Sequence, residues 1–210
     1  MLPDTVAPFS QVSAMAGLGT ASAAASAGAC HNFTIDWISR MIADDGQVGG
    51  SLPTARIAQL AWNRGAGNPV LQKVFGQRWG EGGRSYKLAD TMMLMMRGLQ
   101  EIELTFDYSP FIASQLVNAV TAPAGRGMIY SFWFPGTVVG ANGAHTIGFF
   151  RRLRPAGGRL VPVDGYISCF DPNFGECHVL ESSFSCWLSQ MALQYGGVVT
   201  AHMLKVVDER

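Results

Sequence analysis

Cys30 sits in "AGACHNFTIDWI", where small residues run directly into an amphipathic stretch. A thiolate is the reactive form of cysteine, and the partial positive charge at a helix N-terminus favours it. The N–H groups of a first helical turn lack acceptors within the helix and are suited to an oxyanion formed beside the sulfur. A buried structural cysteine would satisfy the same local pattern. A nucleophilic cysteine also needs a base, and the chain has four histidines. His145, in "NGAHTIGFF", has small neighbours and starts a predicted strand. His31 adjoins Cys30, so on a helix its side chain points about 100° away. His178 and His202 are predicted in a turn and in a late strand. A third group must orient the imidazole and fix its tautomer. Asp171 in "GYISCFDPN" suits that task, because a strand would deliver its carboxylate; an ordinary Asp-Pro-Asn turn fits the same residues.

Cys169, Cys177, His178 and Cys186 have the spacing C-x7-C-H-x7-C, without the short ligand pairs of common structural zinc sites. Packing is the expected role, and no metal or other cofactor is predicted. Strand alternation places Cys169 on the same face as Asp171. Arg151, Arg152, Arg154 and Arg159 form the one dense basic cluster, read either as a solvated loop or as a patch for an acidic substrate segment or a membrane-proximal tail.

The elements that must hold these groups follow from pattern. Thr34, Trp37, Ile38, Met41 and Ile42 recur at the spacing of one buried helical face. Further helices are predicted over "SLPTARIAQLAWNRG", around Leu88–Ile102 with Met92, Met93, Met95 and Met96 as core filler, over 110–120 and over 182–194; "PVLQKVFGQRW" and the loop "GEGGRS" lie between. After "TAPAGRG" the period becomes that of strands: "MIYSFWF", "AHTIGFFRRL", "RLVPV", "GYISCF" and "VVTAHMLKVV". Helices followed by strands predict an α+β domain with an antiparallel sheet. Residues 1–27 are Ala/Ser-rich, with no large charged run, and are expected to be a flexible arm; 28–210 form the domain.

The whole chain has 210 residues, 48% hydrophobic and 14% charged, against about 25% charged in an ordinary soluble domain. Disorder of the whole is excluded. The 15 basic and 15 acidic residues cancel, so no global field exists to hold a nucleic-acid backbone, and no such partner is expected. The segment from Gly127 to Phe150 carries no charged residue and could reach across a bilayer. Pro135, Gly136, Asn142 and Gly143 interrupt it, so two core strands are expected and no transmembrane segment. No Lys or Arg precedes Arg40, so the positive region of a general secretory signal is not expected.

The order Cys30, His145, Asp171, with "GACHNFTIDWI", "GAHTIGFF" and "FDPNFGE", resembles the papain-like cysteine proteases, and within them the YopT-like family of type III secretion effector proteases. The resemblance implies a papain-like fold with the cysteine at a helix N-terminus. It implies a bacterial effector delivered by a specialised system into a host cell, where it cleaves a host protein. Cys30 would be the nucleophile, His145 the base and Asp171 its orienting acid. The stretch from His145 to Asp171 is longer than the family's, and the excess fits "RRLRPAGGRLVPVDG" as a hairpin. The Gln or Asn that papain-like enzymes place shortly before the nucleophile is absent, since positions 24–27 read Ala-Ala-Ser-Ala. A serine hydroxyl, backbone N–H groups or a folded-back Gln11 are the alternatives. The same three residues would also serve a glutamine deamidase or transglutaminase-like enzyme, and a non-catalytic binding module could keep the fold.

Overall fold

The computed structural model describes residues 2–16, 29–45, 51–62, 73–75, 77, 86–135 and 142–210. Within them the order is β1 (Thr5–Pro8), α1 (Gln11–Ala16), α2 (Cys30–Asp45), α3 (Pro53–Trp62), α4 (Lys87–Met95), β2 (Leu99–Pro110), α5 (Ala113–Thr121), β3 (Gly127–Pro135) and β4 (Asn142–Phe150). There follow β5 (Leu153–Ala156), β6 (Arg159–Pro162), β7 (Tyr166–Asp171), β8 (Gly175–Leu180), a short 3-10 turn, α6 (Phe184–Gln194) and β9 (Ala201–Glu209). Seven strands form one antiparallel sheet in the order β1-β8-β7-β4-β3-β9-β2. Strands β5 and β6 make a separate hairpin, which accounts for the extra length between His145 and Asp171.

Strand alternation gives the sheet two apolar faces, and each takes its own helices. Ile129, Phe150 and Phe170 face Phe33, Trp37, Ile38, Ile57 and Leu60 of α2 and α3. Met128, Tyr130, Ile147 and Phe149 face Leu116, Val120, Trp187 and Met191 of α5 and α6. Helix α2 is buried along its whole first half, Cys30 through Ile38, beyond the single stripe that periodicity marked. Its close approach to β4 depends on Gly148, where a Cβ would lie 3.0 Å from the Trp37 ring.

One buried carboxylate ties these layers together. Glu176 of β8, with no exposed surface, accepts from Trp37 Nε1 of α2 at 2.8 Å and from Arg56 of α3 at 2.7 and 3.1 Å. Arg56 also reaches Asp44 at 2.7 Å. Burial alone would raise the Glu176 pKa; His178 at 3.3 Å, hydrogen bonds from Arg56 and Trp37, and the Arg56 charge hold it below its ordinary value. The two motifs "GACHNFTIDWI" and "FDPNFGE" therefore meet in the core, and Trp37 stacks on Phe170 at 5.4 Å.

Several expectations change. Residues 1–27 are not uniformly a flexible arm: Thr5–Pro8 pair with β8, and Gln11–Ala16 are helical, because the edge of β8 offers unpaired backbone groups that a short apolar strand satisfies. Residues 17–27, "PVLQKVFGQRW" apart from Lys73–Phe75 and Gln77, and "GEGGRS" apart from its neighbours lie outside the described residues. The methionine-rich helix ends at Met95, and Ile102 belongs to β2. Met93 is buried, but Met92, Met95 and Met96 are exposed on the outer face of α4. His178 lies in β8 and not in a turn. The segment from Gly127 forms β3 and β4, and no described helix is long and apolar enough to cross a membrane. The arginines do not make one free patch: Arg151 is buried against Glu181 and the Thr121 carbonyl, and Arg152 pairs with Asp45. Arg154 and Arg159 remain exposed on the β5–β6 hairpin.

Gly175 has φ +112°, and a Cβ there would run into the backbone of Ala7, Pro8 and Phe9. Gly175→Ala is expected to cost about 2–4 kcal/mol in denaturant unfolding, and to accelerate amide exchange at Phe9 and Gln11, which bond to the adjoining turn. Glu176→Gln leaves Arg56 buried with half its partners and should cost about 3–5 kcal/mol at neutral pH. Because the Glu176 pKa is depressed on folding, its stabilisation is present above pH 4.5 and fades as pH falls through the folded value. The gap between wild type and variant should therefore narrow in acid; a pH-independent gap would rule out the charge as its cause.

Candidate active site

Cys30 is the first residue of α2, only 9% exposed, at the end of the helix that abuts β4. Phe33 N–H bonds the Ala29 carbonyl at 3.0 Å, so the helix begins immediately at the cysteine. His145 lies near the start of β4 and Asp171 ends β7. These strands are antiparallel neighbours, with Gly148 opposite Phe170, so the start of one meets the end of the other. His145 Nε2 lies 2.9 Å from Asp171 Oδ1. With Nε2–H directed at a carboxylate, Nδ1 is the nitrogen left to face Cys30, whose thiol interacts electrostatically with His145 and Thr146. The structure thus brings together all three residues singled out by type and order.

The surroundings hold both partners in place. Asp171, fully buried, also accepts from the Asn173 N–H at 2.8 Å and from the Tyr195 hydroxyl at 2.8 and 3.0 Å. The Tyr195 ring stacks on His145 at 4.9 Å, and Phe132 meets the imidazole edge-on at 5.8 Å. Burial and the Asp171 charge both push the Tyr195 phenol up, so it keeps its proton and donates. Tyr195 and Thr146 carried no signal in the sequence: "QYGG" at a helix end marks a cap and nothing more.

Burial alone would raise the Cys30 thiol, but the hydrogen bond and charge of His145, with Thr146, outweigh it and hold the pKa below 9.0. Burial alone would lower His145, yet the Asp171 charge and hydrogen bond, and then Cys30, push it up to about 10. Both shifts run in the direction that favours a thiolate beside an imidazolium. Cys169 and Cys177 are pushed up by burial in the opposite core, and Cys186 is exposed on α6. The other histidines do not reach Cys30. His31 bonds Asp90 at 2.8 Å and stacks on Phe75; burial and the Lys205 charge lower it to about 3. His178 lies 3.3 Å from Glu176, and His202 is stacked on Phe106.

Of the alternatives for the missing upstream amide, Ser26 lies outside the described residues. Gln11 lies close by, but its Oε1 accepts from the Ala29 N–H at 2.8 Å and its Nε2 donates to Asn173 at 2.6 Å, so it links those two groups and is not placed as a donor beside Cys30.

A three-layer arrangement with the cysteine heading a buried helix and its partners on adjacent antiparallel strands is the papain-like α+β fold. No family model and no curated protein sequence matches the chain. Among solved structures the chain is similar to the crystal structure of the Pseudomonas avirulence protein AvrPphB, with a TM-score of 0.60 and 16% identity over 98% of this chain and 97% of that one. A likeness at that identity is one of fold.

Alkylation of Cys30 followed against pH should show reactivity rising with a midpoint below the ordinary thiol range, and a second change near pH 10 as the imidazolium loses its proton. Asp171→Asn removes the charge that holds His145 up, so the Cys30 midpoint should move upward toward an ordinary thiol. An unchanged midpoint in the variant would contradict the assigned electrostatics.

Proposed function

We propose that the chain is a thiol protease of the effector type, cutting a host protein with Cys30 as nucleophile, His145 as general base and acid, and Asp171 as the group that orients the imidazole. The observation that carries this reading is His145, hydrogen-bonded to Asp171 through Nε2 and acting on Cys30, whose thiol it holds below its ordinary pKa. Two features support it: the motifs resemble those of the YopT-like effector proteases, and the fold is shared with a protein titled an avirulence protein. Delivery into a host cell follows from that reading.

In this mechanism the Cys30 thiolate attacks the scissile carbonyl carbon. The carbonyl oxygen gains the negative charge and is stabilised by N–H groups at the first turn of α2. His145 gives its proton to the leaving amine as the C–N bond breaks, and the acyl group remains on sulfur. The neutral imidazole then takes a proton from water, which attacks the thioester and releases the acid. Asp171 keeps its hydrogen bond to His145 throughout and stabilises each imidazolium. Its burial, with three donors besides solvent excluded, fixes the imidazole before substrate arrives.

Wild type added to a host-cell lysate should generate new protein N-termini on one or a few proteins, detected by terminal labelling and mass spectrometry, and Cys30→Ala should generate none. If wild type instead yields only a mass gain of about one unit on a glutamine, as hydrolysis of an amide to an acid requires, the same residues serve a deamidase. If neither product forms in any lysate, the binding-module reading replaces both.

A further inference from the structure

A run of four hydrogen bonds connects the two ends of the Cys30–His145–Asp171 set by a second route. The Ala29 N–H donates to Gln11 Oε1 at 2.8 Å; Gln11 Nε2 donates to Asn173 Oδ1 at 2.6 Å; Asn173 Nδ2 donates to the Tyr195 oxygen at 3.1 Å; and Tyr195 donates to Asp171 at 2.8 Å. Asp171 then meets His145, His145 meets Cys30, and Cys30 is joined covalently to Ala29. The circuit is closed. All four donors also point the same way, from the peptide before the nucleophile toward the carboxylate. In such a chain each bond polarises the next, so the last donor is stronger than an isolated hydroxyl. A phenol has one proton to give, and Tyr195 gives it to Asp171 while its oxygen accepts from Asn173.

Two backbone bonds keep the first half of the run in place. Phe9 N–H donates to the Phe174 carbonyl at 3.3 Å and Gln11 N–H to the Pro172 carbonyl at 2.7 Å, gripping the turn that follows Asp171. Tyr195 sits at the end of α6, and its ring covers His145. Three elements far apart in the chain therefore converge on one carboxylate.

We propose that Gln11, Asn173 and Tyr195 are positioning residues that act as one unit, setting the Asp171 carboxylate and through it the imidazole that activates Cys30. This rests on the reading of Cys30 as an activated nucleophile. None of the three needs to touch substrate for it. Their work is done on the free protein.

The test uses the full chain without substrate: iodoacetamide labelling at pH 6, resolved cysteine by cysteine by peptide mass. In wild type, Cys30 should label ahead of the exposed Cys186. Tyr195→Phe keeps the stacked ring and deletes one oxygen; Gln11→Leu keeps most of the volume and deletes both hydrogen bonds. Each should slow Cys30 about tenfold. The double variant should be about as slow as either single one, since the run is already broken, where independent effects would multiply to about a hundredfold. Cys186 should be unchanged, and the buried Cys169 and Cys177 should stay unlabelled, which reports an intact fold in the same spectrum. An unchanged Cys30 rate in Tyr195→Phe, or multiplying effects in the double variant, overturns the proposal and leaves the protease reading standing. Multiplying effects would assign Gln11 a separate task at the nucleophile. A wild-type Cys30 no faster than Cys186 overturns both.

Discussion

The arrangement depends on a negative charge placed where no water reaches it. The Glu176 carboxylate is held by an indole N–H from one helix and a guanidinium from the next. Bringing such a charge out of water costs several kcal/mol unless its partners have good geometry. The chain therefore cannot slide α2 along the sheet without abandoning a buried ion pair. That constraint sets where the first turn of α2 stands relative to β8. Because β8 follows directly on the turn after Asp171, it also sets where Cys30 stands relative to Asp171.

Two histidines of the chain each bond an aspartate at nearly the same distance, and their protonation is opposite. His145 and Asp171 stand 2.9 Å apart and the imidazole is pushed up to about 10; His31 and Asp90 stand 2.8 Å apart and the imidazole is lowered to about 3. The difference lies in the third member. Asp90 also holds the Lys205 ammonium, so a second cation on His31 would be in excess in a buried space. Asp171 has only neutral donors besides His145, and the Cys30 thiolate supplies a further anion. Contact between imidazole and carboxylate is therefore no measure of charge; the sum over the cluster is.

The cluster of Cys30, His145 and Asp171 was legible because its chemistry restricts residue type: one cysteine before a helical pattern, one histidine with space around it, one aspartate at a strand end. The period of α2 and the switch to strands were legible for the same reason, since burial on one face writes itself into spacing. The N-terminal strand was not, because "TVAP" is short and is stabilised by the free edge of β8, whose paired residues lie 167 or more positions away and are invisible locally. Arg151 reads as part of a basic run, yet its burial is decided by Glu181 on a later turn. Tyr195 and Gln11 follow the same rule: their positions are set by hydrogen bonds to distant elements, and no period or composition records those.

The hydrogen bond between Gln11 and Asn173 spans 162 positions, and that between Tyr195 and Asp171 draws in a helix near the opposite end. Contacts of such separation form after local ones, because the loop they close must be ordered first. Until both ends of the chain have docked, the hydrogen bonds that hold Asp171 against His145 are incomplete. The environment that lowers the Cys30 thiol is therefore a property of the completed fold, assembled from both ends of the chain and from no single segment of it.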